Sequence, residues 1–152
     1  MNNSNENRKT PLSFFIACPR EIEQILSDEL HALKGSLNLS KISSKRGGVS
    51  FESSLEDAIQ VGLHVRTGGR LFWKLGNFFF NDEQSLYFKA LKMNWGKVLT
   101  SKNSIKVDTT LSHDTKESFK NSHFLSLKIK DAVCDNIRKF ENDRPRVEKK
   151  HP

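Results

Sequence analysis

The side chains best suited to chemistry in this 152-residue chain are cations interleaved with hydrogen-bonding groups. Lys116, Lys120, Asn121, Ser122, His123, Lys128 and Lys130 lie within one short stretch. Lysines so close together can neutralise phosphates and release their counterions, while amides and hydroxyls near a helix start fix the register of a polyanion. The competing reading is a solvated helix face, with Lys128–Asp131 and Asp135–Lys139 as ordinary surface pairs. Arg66 and Arg70 flank the Gly68-Gly69 turn, and their planar guanidinium groups suit bidentate contact with phosphate; equally, one of them could cap the carbonyls of a preceding helix. Lys41, Lys45 and Arg46 precede a second Gly-Gly pair and read either as a further contact or as a charged hairpin tip. Phe78-Phe79-Phe80 is a candidate for stacking on unpaired bases, but such a run more commonly fills a core, and Trp73 and Trp95 are read as core.

Other chemistries find little support. The five His and two Cys lack the spacing of a zinc cluster, so no metal is expected. No nucleophile-elbow motif accompanies a Ser–His–Asp or Cys–His set. Cys18 stands at an expected strand-to-helix junction, where a thiol can be acidified, although a small buried residue is the simpler reading. Gly47-Gly48 and Gly68-Gly69 are isolated pairs rather than a phosphate-cradling loop, so no cofactor site is expected in these residues.

The elements that must carry these residues can be read from periodicity. Met1 to Pro11 is a loose polar tail without an apolar signal-peptide core. Leu12–Ala17 has strand length, and Pro19 suits the first turn of a helix whose stripe is Ile22, Ile25, Leu26, Leu30 and Leu33, with a stop at Gly35. Leu37, Leu39 and Ile42 suggest a strand, Arg46-Gly47-Gly48 a turn, and Val49-Ser50-Phe51 a further strand. Ser54 with Asp57 resembles a capping box and opens a helix carrying Leu55, Ala58, Ile59 and Leu63, expected to run to Gly68-Gly69. Arg70–Leu75 is a strand closing the unit with Phe78–Phe80; Gln84–Lys92 is a short helix; Ser104–Thr109 is a half-buried strand. Ser122–Phe140 gives the strongest helical signal, with Leu125, Ile129, Ala132, Val133, Ile137 and Phe140 inward. Glu141–Pro145 breaks it, and Val147 starts another strand. Alternation of this kind indicates helices packed on a sheet, an α+β fold.

Composition agrees. The hydrophobic fraction is 36% and the charged fraction 28%, adequate for one domain or two small ones, and no apolar run approaches bilayer length. The net charge is +7 and is uneven. Residues 1–40 carry four basic and five acidic side chains, residues 41–112 eleven and six, and residues 113–152 ten and seven. The middle and the end are therefore where an anionic partner would bind. Two unpaired cysteines without secretory features fit reduced thiols in the cytoplasm.

Several segments in collinear order resemble one family. Phe14-Phe15-Ile16-Ala17-Cys18-Pro19-Arg20-Glu21-Ile22-Glu23 is similar to its F-A-x-C/T-x-R-G-L-E start, with Glu21 where the pattern has Gly. Gly47–Phe51 resembles G-G-V-x-F, Leu63–Arg70 resembles L-W-x-R-T-A-S-R, and Met93-Asn94-Trp95 resembles I-D/N-W. Ser122 with Lys128–Asp135 resembles S-x-x-x-x-L-K/R-V-K-D-A-I-V-D, and Arg144–Val147 resembles R-P-x-V-D. The family is the bacterial 23S ribosomal RNA guanine-N2 methyltransferases. The resemblance covers about residues 12–147 and implies a ferredoxin-like part over residues 12–56, then a THUMP-like RNA-binding domain over 57–152 that lacks its last strands. It further implies a methyltransferase domain, using S-adenosylmethionine, that this chain lacks. The expected partners are RNA, 23S ribosomal RNA foremost with transfer RNA as the other target, and a methyltransferase domain or subunit, with no membrane. Whether the chain acts as part of an enzyme is open. The rival reading is a degenerate or split-gene fragment serving as a protein-interaction domain.

Overall fold

The computed structural model describes residues 11–111, 115, 119 and 121–147. The chain divides into two units between Asn77 and Phe78.

In the first unit, β1 (Leu12–Ala17), α1 (Glu23–Leu33), β2 (Ser40–Lys45), β3 (Gly48–Ser53), α2 (Leu55–His64) and β4 (Arg70–Lys74) follow one another. Their four-stranded sheet has the order β2-β3-β1-β4, with every pairing antiparallel. This is the split βαβ arrangement of a ferredoxin-like fold. β1 is central because its alternate residues are large and apolar. Phe14 lies opposite Phe51 on one side and Trp73 on the other. Phe14, Ile16, Val49 and Phe51 point inward onto Leu26, Leu30, Ala58 and Val61 of the two helices, all nearly inaccessible. Each of the larger side chains contributes about 1.5–3 kcal/mol by its burial.

Local chemistry sets the boundaries. Ser54 caps α2, its hydroxyl accepting from the Asp57 N–H at 3.0 Å, as the sequence indicates. That helix ends at His64, short of Gly68-Gly69, because the Glu29 carboxylate draws in the N–H groups of Arg66 (3.0 Å) and Thr67 (3.3 Å) and holds the following chain extended. α1 begins at Glu23 rather than beside Pro19; Arg20 and Glu21 form a turn first, with Glu21 at φ 73°. The Glu23 carboxylate accepts the Gly47 N–H at 2.8 Å and ties the β2–β3 hairpin to the helix start.

The second unit holds α3 (Glu83–Leu91), a 3-10 turn (Trp95–Lys97), β5 (Ser104–Ile105), α4 (Ser122–Glu141) and β6 (Arg146–Val147). β5 and β6 pair in parallel, Ile105 beside Val147. Leu125, Ala132, Val133 and Ile137 bury the inner stripe of α4, as its periodicity requires. Leu86, Phe119 and Leu125 form one cluster, joined by Phe78 and Phe80; Ile105, Val133 and Cys134 form another, joined by Trp95. Asn121 caps α4 by accepting the Phe124 N–H at 3.0 Å. Asn142, left-handed at φ 55°, closes it.

Several expectations are corrected. The division lies after Asn77 and not at residue 56, because β4 hydrogen-bonds to β1 and so keeps α2 and β4 in the first unit. The strand expected over Ser104–Thr109 is only Ser104–Ile105. Phe78 and Phe80 open the second unit instead of ending the first, while Phe79 between them is 87% exposed. Phe140 and Trp73 are exposed too; Trp73 sits on the edge strand and covers Phe14 with one face only. No described helix is long and apolar enough to cross a membrane.

Candidate nucleic-acid interface

The second unit carries a concave surface enclosing about 1680 Å³. α4 supplies Lys128, Lys130, Asp131, Asp135 and Arg138, together with the buried Cys134. Residues 128, 131, 135 and 138 recur at three and four positions, so they stack along a single face. α3 adds Tyr87, the chain before β5 adds Ser101 and Lys102, and β5 itself adds Ser104. The segment leading into β6 adds Asp143, Arg144 and Pro145, and β6 itself adds Arg146 and Val147. Six cations thus face three carboxylates.

Each wall is fixed locally. Pro145 is fully buried, and the Arg146 N–H donates to the Asn103 carbonyl at 3.1 Å, which holds Arg144 and Arg146 beside the loop carrying Lys102. The Glu141 carboxylate accepts the Ser101 N–H at 2.7 Å, joining the same loop to the end of α4. Within the groove, the Tyr87 hydroxyl donates to Asp135 at 2.7 Å. That bond, with burial, raises the Tyr87 phenol above its ordinary range, so it stays a neutral donor. Lys130 pairs with Asp131 at 2.9 Å, and Asp143 accepts the Arg144 N–H at 2.8 Å. Each of the three acids thus has a partner within the protein, and six cations against three carboxylates leave the formal charge of the lining positive. Lys128 leans over the Phe124 ring, 5.3 Å from its centroid, which keeps its ammonium at the rim.

Of the residues singled out from sequence, Lys128 and Lys130 line this groove. Asn121 is used as a helix cap, and Ser122 and His123 lie in the first turn of α4 beyond the lining residues. Lys116 and Lys120 lie outside the described residues. Arg66, Arg70, Lys45 and Arg46 belong to the first unit and form no part of this groove. Arg66 donates its backbone N–H to Glu29, and the Arg70 guanidinium rests over Phe72 instead of capping a helix. Sequence reasoning missed Lys102, Arg138, Arg144 and Arg146. A signal existed for Arg138, which shares the helical face of Lys128. Nothing local joins Lys102 to Arg144, because the parallel β5–β6 pair that brings them together is a long-range contact.

Among the described residues, no three or more His, Cys, Asp or Glu side chains group as a metal site. Both cysteines are free thiols. Burial, and next the Glu23 charge, push the Cys18 thiol up, the opposite of what an activated thiolate needs.

Sequence and fold comparisons give the class. Residues 13–72 match the RlmL ferredoxin-like domain and residues 80–152 match the THUMP domain, so this chain is a ferredoxin-like domain of RlmL type followed by a THUMP domain. The relatives are equally specific. The ribosomal RNA large subunit methyltransferase K/L of Syntrophotalea carbinolica is 32% identical over 93% of this chain and 19% of its own length. The protein of the same name from Aeromonas salmonicida is 32% identical over 91% of this chain and 18% of its own length. The chain spans about a fifth of the curated relatives it matches. Among solved structures, a predicted N6-adenine-specific DNA methylase from Listeria monocytogenes shares the fold at TM-score 0.73 and 16% identity, covering 86% of this chain and 32% of its own. A possible methylase from Clostridium difficile does so at TM-score 0.77 and 13% identity, covering 93% and 36%.

Proposed function

We propose that this chain is the RNA-holding part of a ribosomal RNA methyltransferase, presenting large-subunit RNA to a guanine methyltransferase domain supplied by further sequence. S-adenosylmethionine would bind that domain, and the setting would be the cytoplasm, where the RNA is. The observation that carries the reading is the groove of the THUMP unit, where six cations surround three carboxylates that are already engaged. The names of the relatives support the choice of RNA and of methyl transfer. Such a groove would grip phosphates and helix shape rather than sequence, since the deep groove of an RNA duplex hides base edges from side chains.

The test is fluorescence anisotropy with a structured fragment of large-subunit ribosomal RNA, with transfer RNA as comparison. The variant Lys128→Gln/Arg144→Gln, shown to be folded by circular dichroism, is expected to bind about tenfold or more weakly, each phosphate-contacting cation being worth about one unit of salt slope. Unaltered affinity in the double variant, or no binding by the folded parent chain at low salt, refutes the reading.

A further inference from the structure

The sheet of the first unit has helices on one face only, and its other face is not blank. Strand alternation and register place Phe15 of β1 beside Phe72 of β4 on that face, with Ser50 of β3 on the other side of Phe15. The two rings are 6.4 Å apart between centroids. Phe72 is 44% exposed, a large apolar side chain turned toward solvent. Gly48 accommodates Phe15: a Cβ there would lie 2.5 Å from Phe15 Cζ, so the ring tip rests over the bare backbone of the neighbouring strand.

Cations surround the two rings. Arg70 and Lys74 flank Phe72 along β4, two residues away on either side and therefore on the same face, and both are exposed. The Arg70 guanidinium sits 5.9 Å from the Phe72 centroid. Lys45, paired with Gly48, brings a third positive charge at the opposite edge of the sheet. The acid on this face, Glu52, is ion-paired with Lys41 at 3.0 Å. Small residues, Ser43 and Ser50 among them, occupy the space between.

We infer that this open sheet face is a stacking platform for the unpaired bases of single-stranded RNA. Every nucleobase has a π face that can lie on an exposed ring, and cations spaced across a four-stranded sheet track the phosphates between bases. Three strand spacings separate β2 from β4, about 14 Å, enough for a strand to cross both rings. The positive charge argues for a polyanion over an apolar protein partner. The inference shares with the proposed function only the premise that the ligand is RNA; its residues belong to the other unit.

The experiment uses the full chain and a labelled, unstructured RNA of about ten nucleotides, a length within the range such platforms cover. Phe72→Ala is expected to weaken binding about tenfold or more with little change in salt slope, because stacking releases no counterions. Arg70→Gln/Lys74→Gln is expected to lower the slope. Phe79→Ala, which removes a still more exposed ring from the second unit, should leave affinity unchanged. Phe15→Leu, which keeps an apolar residue over Gly48, serves as a second stacking variant less prone to unfold. Full affinity in folded Phe72→Ala and Phe15→Leu overturns the inference. So does a parent chain that binds structured ribosomal RNA but not the single strand; that result would leave the THUMP groove reading standing. Loss of self-association in Phe72→Ala with RNA binding intact would reassign the face to protein docking and equally overturn it.

Discussion

Glu21 is a non-glycine residue at φ 73°, in the turn that leads from β1 to α1. The left-handed region crowds a Cβ against the following carbonyl and costs an L-residue on the order of 1–2 kcal/mol, part of which glycine gives back through unfolded-state entropy. Glu21→Gly is therefore expected to stabilise the first unit by about 0.5–1 kcal/mol, seen as a higher urea midpoint at unchanged m-value. The pattern of the resembled family has glycine at this position, the residue that this backbone geometry favours. Two residues on, Glu23 is held below the ordinary carboxylate range, first by the Gly47 N–H and then by other backbone donors. A carboxyl whose folded pKa is depressed contributes stability above its unfolded value and loses it as pH falls through the folded one. Glu23→Gln should accordingly destabilise the chain at neutral pH, and the gap to the parent should close as pH drops below about 4, followed by denaturant titration across pH. A gap that persists at low pH would show that the carboxylate charge is not what holds the hairpin.

At the scale of elements, the β1–β3 pair depends on a missing side chain. A Cβ on Gly48 would lie 2.1 Å from the Ile16 carbonyl oxygen, and backbone cannot swing aside as a side-chain tip can. Gly48→Ala is expected to cost at least about 2 kcal/mol, through displaced pairing of the central strand, measured by thermal or urea unfolding. The same residue holds the floor under Phe15, so the substitution should also disturb the open sheet face. In the second unit α4 has two distinct sides. One packs into the core through Ala132, Val133 and Ile137; the other presents Lys128, Asp131, Asp135 and Arg138 to the groove. Tyr87 and the buried Asn136, whose side-chain N–H donates to the Leu91 carbonyl at 2.8 Å, fix α4 against α3. Together they set the helix rotation that decides which residues face outward.

For the whole molecule the governing quantity is electrostatic. The net charge of +7 arises wholly after residue 40, the first forty residues being slightly acidic, and both candidate surfaces draw on it. Association with RNA should weaken steeply with salt. If four to six cations of the groove neutralise phosphates of a duplex, log affinity should fall with log salt at a slope of about −4 to −5. Anisotropy titrations over a salt series measure this directly, and a slope near zero would mean that the positive residues do not meet phosphates. Each unit has its own apolar core.

Local pattern determined much of this protein. The periodicity of α1, α3 and α4, the Ser54 cap and the apolar alternation of β1 were all legible because each depends on residues within a turn or two of one another. The same was true of Lys128 and Lys130, which sit on a helix whose apolar stripe shows where the solvent side must be. Tertiary structure alone decided three matters. The first is the boundary after Asn77, since only the β1–β4 pairing places α2 and β4 with the first sheet. The second is the meeting of Lys102, Arg144 and Arg146 with α4, created by a parallel strand pair some forty residues apart in sequence. The third is which aromatic residues face water. Trp73 and Phe79 look like core in sequence, because hydrophobicity reports a tendency to be buried and not whether the fold provides a partner for that particular face.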